Sequence, residues 1–269
     1  MKNLFLVLTM TGCVLFLSRC QDQPSQNPRL SLQAQKIQSV LWQQHAAEYR
    51  ALVYQAYNTA RQQLDEILSH RAGSDTPPAI ITDIDETVLD NSPFNGKLIV
   101  LDTSYSDARW IEWGRLAAAD TLPGAPAFFK YAAQRGVEIF YISNRLQVQK
   151  DVTMANLRRF GLPFADAEHV LLKTAPGGKE SRRRHVIEHF EPVLLLGDNL
   201  SDFSVLFDKQ GTERRNALVD SLRNDFGRRF IVFPNPMYGD WEGQGIYRGR
   251  YDWTPFQMDS LRRHEIISY

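Results

Sequence analysis

Residues 31–70 contain neither Pro nor Gly, and Leu41, Ala46, Tyr49, Val53, Ala56, Ala60, Leu64 and Ile67 recur at three- and four-residue intervals. That spacing predicts one long or two consecutive amphipathic helices with a single apolar stripe. His45 on this stretch reads as a surface or packing residue. Beyond it the pattern changes to short, unalternating apolar runs at 79–82, 137–142, 169–172, 192–196 and 230–233. Such runs suit strands buried on both faces. Helical periodicity fills 105–119, 127–134, 149–160 and 181–190, with stops at Gly136, Gly161 and Pro163. Two further helical segments lead to the last run. Strands alternating with helices predict an α/β fold, a doubly wound parallel sheet with right-handed crossovers. Its ligand site is expected at the strands' carboxyl ends. The helical arm and an aromatic, Gly- and Pro-containing C-terminal segment are expected to pack together as a small α-helical lobe beside that site.

The first twenty residues break this pattern. Lys2 precedes an apolar run from Leu4 to Leu17, then Ser18, Arg19 and Cys20. The run is shorter than the roughly 20 residues a membrane span needs, and it reads as an export signal. Cys20 ends the run and is followed by the polar stretch QDQPSQNP, which favours it over Cys13 as a lipid-acceptor cysteine. The expected division is a signal peptide over 1–19, a tether over 20–30, and one domain over 31–269.

Chemistry gathers at the strand ends. After Pro77-Pro78, the run 79–82 leads into Asp83 and Asp85, two residues apart, so a strand's period of two points both carboxylates the same way. Three acids within four residues at a buried strand end are costly unless a cation neutralises them. Glu86, the third, reads as a further surface acid. The string continues as DIDETVLDNSPF.

Asp-x-Asp-x-Thr at a strand end resembles motif one of the haloacid dehalogenase superfamily of phosphotransferases. The longer string resembles the class C acid phosphatases, bacterial surface lipoproteins also described as 5'-nucleotidases. The remaining motifs follow in order. Ser143, with Asn144 beside it, resembles the phosphate-binding motif two. Lys179 resembles the motif-three cation, and Asp198 and Asp202 in GDNLSD resemble the motif-four acids. The similarity extends over nearly everything from residue 31, including FIVFPNPMYGDWEG.

The resemblance implies magnesium-dependent phosphomonoester hydrolysis. Asp83 is the expected nucleophile, forming an aspartyl-phosphate, and Asp85 the acid and then base. Asp85 must carry a proton for the first step, which favours an acidic working pH. Magnesium is expected on Asp83, the Asp85 carbonyl, Asp198 and Asp202. Trp110 and Tyr238 are expected to stack on the substrate's ring, favouring nucleoside monophosphates and aryl phosphates. Phe94, Trp113 and Trp241 are further candidates.

Composition changes this picture little. The chain holds 31 basic and 31 acidic residues; without residues 1–19 it loses Lys2 and Arg19 and no acids, leaving a net charge of about −2. That balance gives no electrostatic reason for nucleic-acid binding. The expected partners are a small phosphomonoester and, through a lipid anchor, a membrane of the bacterial cell envelope. Both cysteines precede residue 21, so the folded part has no disulfide. Arg182, Arg183, Arg184 and His185 read as a solvated helix face, and PGGKES lacks Walker A spacing. The competing readings are a non-catalytic binding lipoprotein on the same fold and a phosphotransferase acting on an acceptor alcohol. A dehalogenase suits the second acid, Asp85, less well.

Overall fold

A computed structural model describes residue 31, residues 33–71 and residues 75–269. The expected signal peptide and tether, with Cys20, lie outside the described residues. The helical arm breaks at Ala46, whose extended backbone (ψ 124°) separates α1 (Ile37–His45) from α2 (Ala47–Ser69). Tyr49, Val53, Ala56, Tyr57, Ala60 and Leu64 form the buried face of α2. Leu41 departs from the stripe and is 43% exposed.

After β1 (Pro78–Thr82) the chain forms β2 (Leu89–Asp90), α3 (Ser92–Val100), α4 (Asp107–Arg115) and β3 (Asp120–Thr121). Then come α5 (Ala125–Gln134), β4 (Glu138–Leu146), α6 (Lys150–Arg159), β5 (Val170–Lys173), α7 (Glu180–Ile187) and β6 (Glu191–Gly197). The last elements are α8 (Thr212–Ser221), β7 (Phe230–Val232) and α9 (Pro255–Glu265). The main sheet is parallel, in the order β5-β4-β1-β6-β7. Winding proceeds outward from β1 through β4 to β5, then returns to β6 and β7. The reversal falls beside β1, the position where doubly wound sheets open a ligand crevice.

Period-two alternation divides the core. Ile80, Ile139, Tyr141, Leu194 and Ile231 face α2 and α5, while Ala79, Ile81, Phe140, Ile142 and Leu195 face α7. Thr82 is level with Tyr141 on one side and Leu196 on the other, so Asp83 emerges at the centre of the sheet's carboxyl edge.

Three features differ from the sequence expectation. The β2–β3 ribbon pairs only Leu89 with Thr121 and Asp90 with Asp120, too few residues to show a period. Helix α3 forms despite Pro93 and Gly96, because Pro is tolerated in a first helical turn. Helix α9, hidden in the aromatic tail, starts from a capping box between Thr254 and Gln257. It has no buried residue. Polar contacts attach it: Gln35 donates to Asp259, and Arg262 lies 3.1 Å from Glu242, which Lys36 approaches at 3.5 Å. The N- and C-terminal segments therefore meet beside the site as one lobe. Among the described residues no helix is long and apolar enough to cross a membrane.

Candidate active site

Asp83 leaves the sheet with its N–H donating to the Leu196 carbonyl at 2.9 Å. Lys179, just before α7, projects its ammonium between two carboxylates, donating to Asp83 and lying 2.7 Å from Asp202 Oδ1. Asp198 directly follows β6. Each of Asp83, Asp198 and Asp202 offers an oxygen within 4.8 Å of the others. Gly197 makes the packing possible, because a Cβ there would meet Asp202 Cβ at 2.4 Å. Arg183 then fixes the motif-four turn, donating to the carbonyls of Ser201 at 2.8 Å and Asp202 at 3.0 Å.

Burial pushes Asp83 up to about 7, with the Lys179 charge opposing and the Asp202 and Asp85 charges adding. Burial, then Asp202 and Asp83, raises Asp198 well above the carboxylate range. For Lys179 burial works downward, but the charges of Asp202 and Asp83 outweigh it and the ammonium is held charged. Three acids thus converge on one ammonium, and all their donor atoms are hard oxygens. This donor set fits a divalent cation of the magnesium type.

Asp85 faces a different set of groups. Its Oδ2 accepts from Ser143 Oγ at 3.0 Å, and its Oδ1 accepts from Asn91 Nδ2 at 2.9 Å. Arg145 completes the ring, donating through Nε at 2.9 Å, with Nη2 2.8 Å away as the ion-pair contact and itself donating to Asn91 Oδ1 at 3.3 Å. Asn144 is exposed, and its Oδ1 accepts from Arg182 Nη2 at 2.8 Å. Asp83, Asp85, Asn144, Lys179, Asp198 and Asp202 all line one cavity of about 810 Å³. Trp110, Tyr238, Phe94 and Tyr105 form part of its wall. Phe94 packs edge-on against Trp110, with centroids 4.9 Å apart. Trp113 instead donates to Asn91 Oδ1 at 2.8 Å, and Trp241 is 45% exposed and turned to its own loop.

Two readings of the sequence are corrected. Glu86 is not a surface acid: it is fully buried, with φ at 60°, and its Oε1 accepts the Asn91 N–H at 2.7 Å. Burial, then the neighbouring Asp85, raises its pKa well above the carboxylate range. The basic run in α7 is not wholly a solvated face, since Arg183 is 2% exposed and Arg182 holds the Ser143 carbonyl. Sequence reasoning assigned no role to Arg145, Asn91 or Asn235. Asn235 donates to Asp198 Oδ2 at 2.8 Å, and its Oδ1 accepts the Tyr238 N–H at 3.4 Å, so it ties the acidic cluster to the cavity wall. The available signal was a charged residue two positions past Ser143 on the same strand (Arg145) or a polar residue inside the motif string (Asn91).

Comparison with known proteins adds a family. A family model described as HAD superfamily, subfamily IIIB (acid phosphatase), matches residues 22–241. Acid phosphatase 1 of Solanum lycopersicum is 26% identical over 174 residues, covering 62% of this chain and 60% of that protein. Vegetative storage protein 2 of Arabidopsis thaliana is 30% identical over 176 residues, covering 61% of this chain and 57% of that protein. The chain thus spans about three fifths of the length of these curated relatives. The structure of the class C acid phosphatase from Bacillus anthracis is similar with a TM-score of 0.85 and 42% identity, covering 89% of this chain and 99% of that one. A structure of that phosphatase with tungstate bound gives 0.83 and 42%, covering 87% and 98%.

Proposed function

This chain belongs to subfamily IIIB of the HAD superfamily, the acid phosphatases, and on that premise we propose that it is a magnesium-dependent phosphomonoesterase acting through an aspartyl-phosphate. The observation that supports this most is Lys179 bridging Asp83 and Asp202 within a cluster of three carboxylates that lines an aromatic-walled cavity. Asp83 attacks phosphorus in line, and the leaving oxygen takes a proton from Asp85. Asp85 then accepts a proton from the water that hydrolyses the acyl phosphate. Lys179 balances the charge of nucleophile and phosphoryl oxygens, and the Ser143 hydroxyl and Asn144 amide bind those oxygens. Magnesium, when held by Asp83, Asp198 and Asp202 with the Asp85 carbonyl, supplies further charge neutralisation. The tungstate bound by the similar Bacillus anthracis enzyme is a tetrahedral oxyanion, which suits the same reading.

The substrates are nucleoside monophosphates and aryl phosphates, their rings against Trp110 and Tyr238. Asp83→Asn is expected to remove turnover of an aryl phosphate by several orders of magnitude while the circular dichroism and melting curve stay as they are. Substantial residual turnover in a folded variant would refute the nucleophile. We also propose that Cys20 is acylated and holds the protein to the cell envelope. Cys20→Ser is then expected in the soluble fraction, and an unmodified mature N-terminus by mass spectrometry would refute that anchor.

A further inference from the structure

The two oxygens of Asp85 are not equivalent. Oδ1 accepts two short hydrogen bonds, from Arg145 Nε at 2.9 Å and Asn91 Nδ2 at 2.9 Å, and the Arg145 Nη2 cation lies 2.8 Å from it while donating to Asn91 Oδ1 at 3.3 Å. Oδ2 has the Ser143 hydroxyl at 3.0 Å and only a long contact from Arg145 Nε at 3.3 Å. Guanidinium and amide N–H groups donate and cannot accept, whereas a hydroxyl does either. The orientation of the Asn91 amide is set independently. Its Oδ1 accepts from the Trp113 indole, a donor only, at 2.8 Å, so Nδ2 must face Asp85.

We propose that Arg145 is a positioning residue that saturates Oδ1 and so makes Oδ2 the atom of Asp85 that delivers and recovers the proton. A proton on Oδ1 would face two N–H donors and the cationic Nη2 close by, and have nowhere to point. On Oδ2 it meets Ser143, which turns to accept. Arg145 is itself held firmly: it is 2% exposed, donates to Thr153 Oγ1 at 3.3 Å, and its guanidinium lies 5.3 Å from the Trp110 ring centroid. Nε, shared between the two carboxylate oxygens with Nη2 beside Oδ1, sets the plane of the carboxylate, and the Trp110 contact relates that plane to the wall expected to seat the leaving group. In the transfer, the Asp83 oxygen–phosphorus bond forms as the phosphorus–leaving-oxygen bond breaks. The proton passes from Asp85 Oδ2 to the leaving oxygen, leaving Asp85 as a carboxylate. Attack by water on the aspartyl-phosphate returns a proton to the same oxygen and releases phosphate.

This inference rests on the phosphatase reading above. Its test is a leaving-group series run with magnesium present: 2,4-dinitrophenyl phosphate, 4-nitrophenyl phosphate and glycerol phosphate. A dinitrophenolate departs without a proton, whereas an alkoxide needs one. Arg145→Met is expected to lose about 100-fold or more in kcat on glycerol phosphate but under about tenfold on the dinitrophenyl ester, with KM little changed. Arg145→Lys keeps the charge without the fork and is expected to tilt the series the same way; it carries the test alone should Arg145→Met fail to fold. Equal losses across the series in folded variants would overturn the proposal, leaving Arg145 a structural charge. A rise confined to KM, matched by weaker inhibition by inorganic phosphate, would overturn it in favour of a phosphate ligand. Absence of turnover by the unaltered protein on all three esters would instead sink the phosphatase reading itself, and this inference with it.

Discussion

Lys179 and Asp202 form a 2.7 Å ion pair whose side chains are 7% and 6% exposed, and the same ammonium also donates to Asp83. Removing one partner of a buried pair leaves an uncompensated charge, which costs about 3–5 kcal/mol. Lys179→Met is therefore expected to lower Tm clearly in the presence of a chelator. A divalent cation supplies the missing charge and is expected to restore part of the loss, since a ligand at 100 times its Kd stabilises by about 2.7 kcal/mol. In Asp198→Asn that restoration should shrink. A Lys179→Met protein that melts like the parent, with or without cation, would show that the three acids do not share a charge problem.

Much of this site was legible because its motifs sit where a period change ends. Asp83, Ser143 and Asp198 each terminate or interrupt a run of buried apolar residues, and a polar group in that position is unexplained by packing. The groups that orient them were not legible. Arg183 looks like its exposed neighbour Arg184, and only the fold brings it under the Asp202 turn. Glu86 resembles any acid after a strand, yet its left-handed backbone turns it inward. Helix α9 lacks a buried stripe, so periodicity had nothing to detect.

Trp110 lines the cavity and packs on Phe94, which lines it too. Stacking a base on such a ring is worth about 1–3 kcal/mol. Trp110→Ala is expected to raise KM for a nucleoside monophosphate about tenfold or more while changing KM for glycerol phosphate little, because glycerol has no ring to stack. Equal effects on the two substrates would mean that the indole serves Arg145 and the fold rather than the ligand.

His169 lies far from this chemistry, between two carboxylates: Nδ1 is 2.8 Å from Asp166 and Nε2 is 2.9 Å from Glu138. Burial works against the imidazolium, but the hydrogen bonds to Asp166 and Glu138 outweigh it and raise the pKa. The folded state thus binds the proton more tightly than the unfolded chain. The contribution is complete below about pH 6.5, the unfolded value, and is lost as pH rises through the higher folded value. His169→Gln should therefore cost more stability at pH 6 than at pH 9. Denaturant midpoints for both proteins across that range decide the matter, and parallel profiles would contradict it.

Glu242 holds the terminal lobe over the cavity. Its Oε1 accepts from Tyr247 Oη and from Arg262 Nη2, both at 3.1 Å, and its Oε2 lies 3.5 Å from Lys36. One carboxylate thus joins the N-terminal arm, the loop before α9 and α9 itself. Apolar support is slight, because α9 has no fully buried residue and only Met258 and Leu261 of its apolar side chains are partly covered. Lys36, Tyr247 and Arg262 all line the same cavity as the acidic cluster, so the wall they form depends in part on these polar contacts. Partly exposed pairs of this kind are weak and screened by salt. Glu242→Gln keeps the size of the side chain and removes its charge. It is expected to speed proteolytic cleavage within residues 247–269 several-fold while leaving the melting of the central sheet near its parent value. The parent protein in high salt should drift the same way, because the same charges are screened. Turnover of glycerol phosphate, too small to need the outer wall, should change less than that of a nucleotide. If cleavage in this segment is equally slow in both proteins at every salt concentration, α9 is held by something other than Glu242.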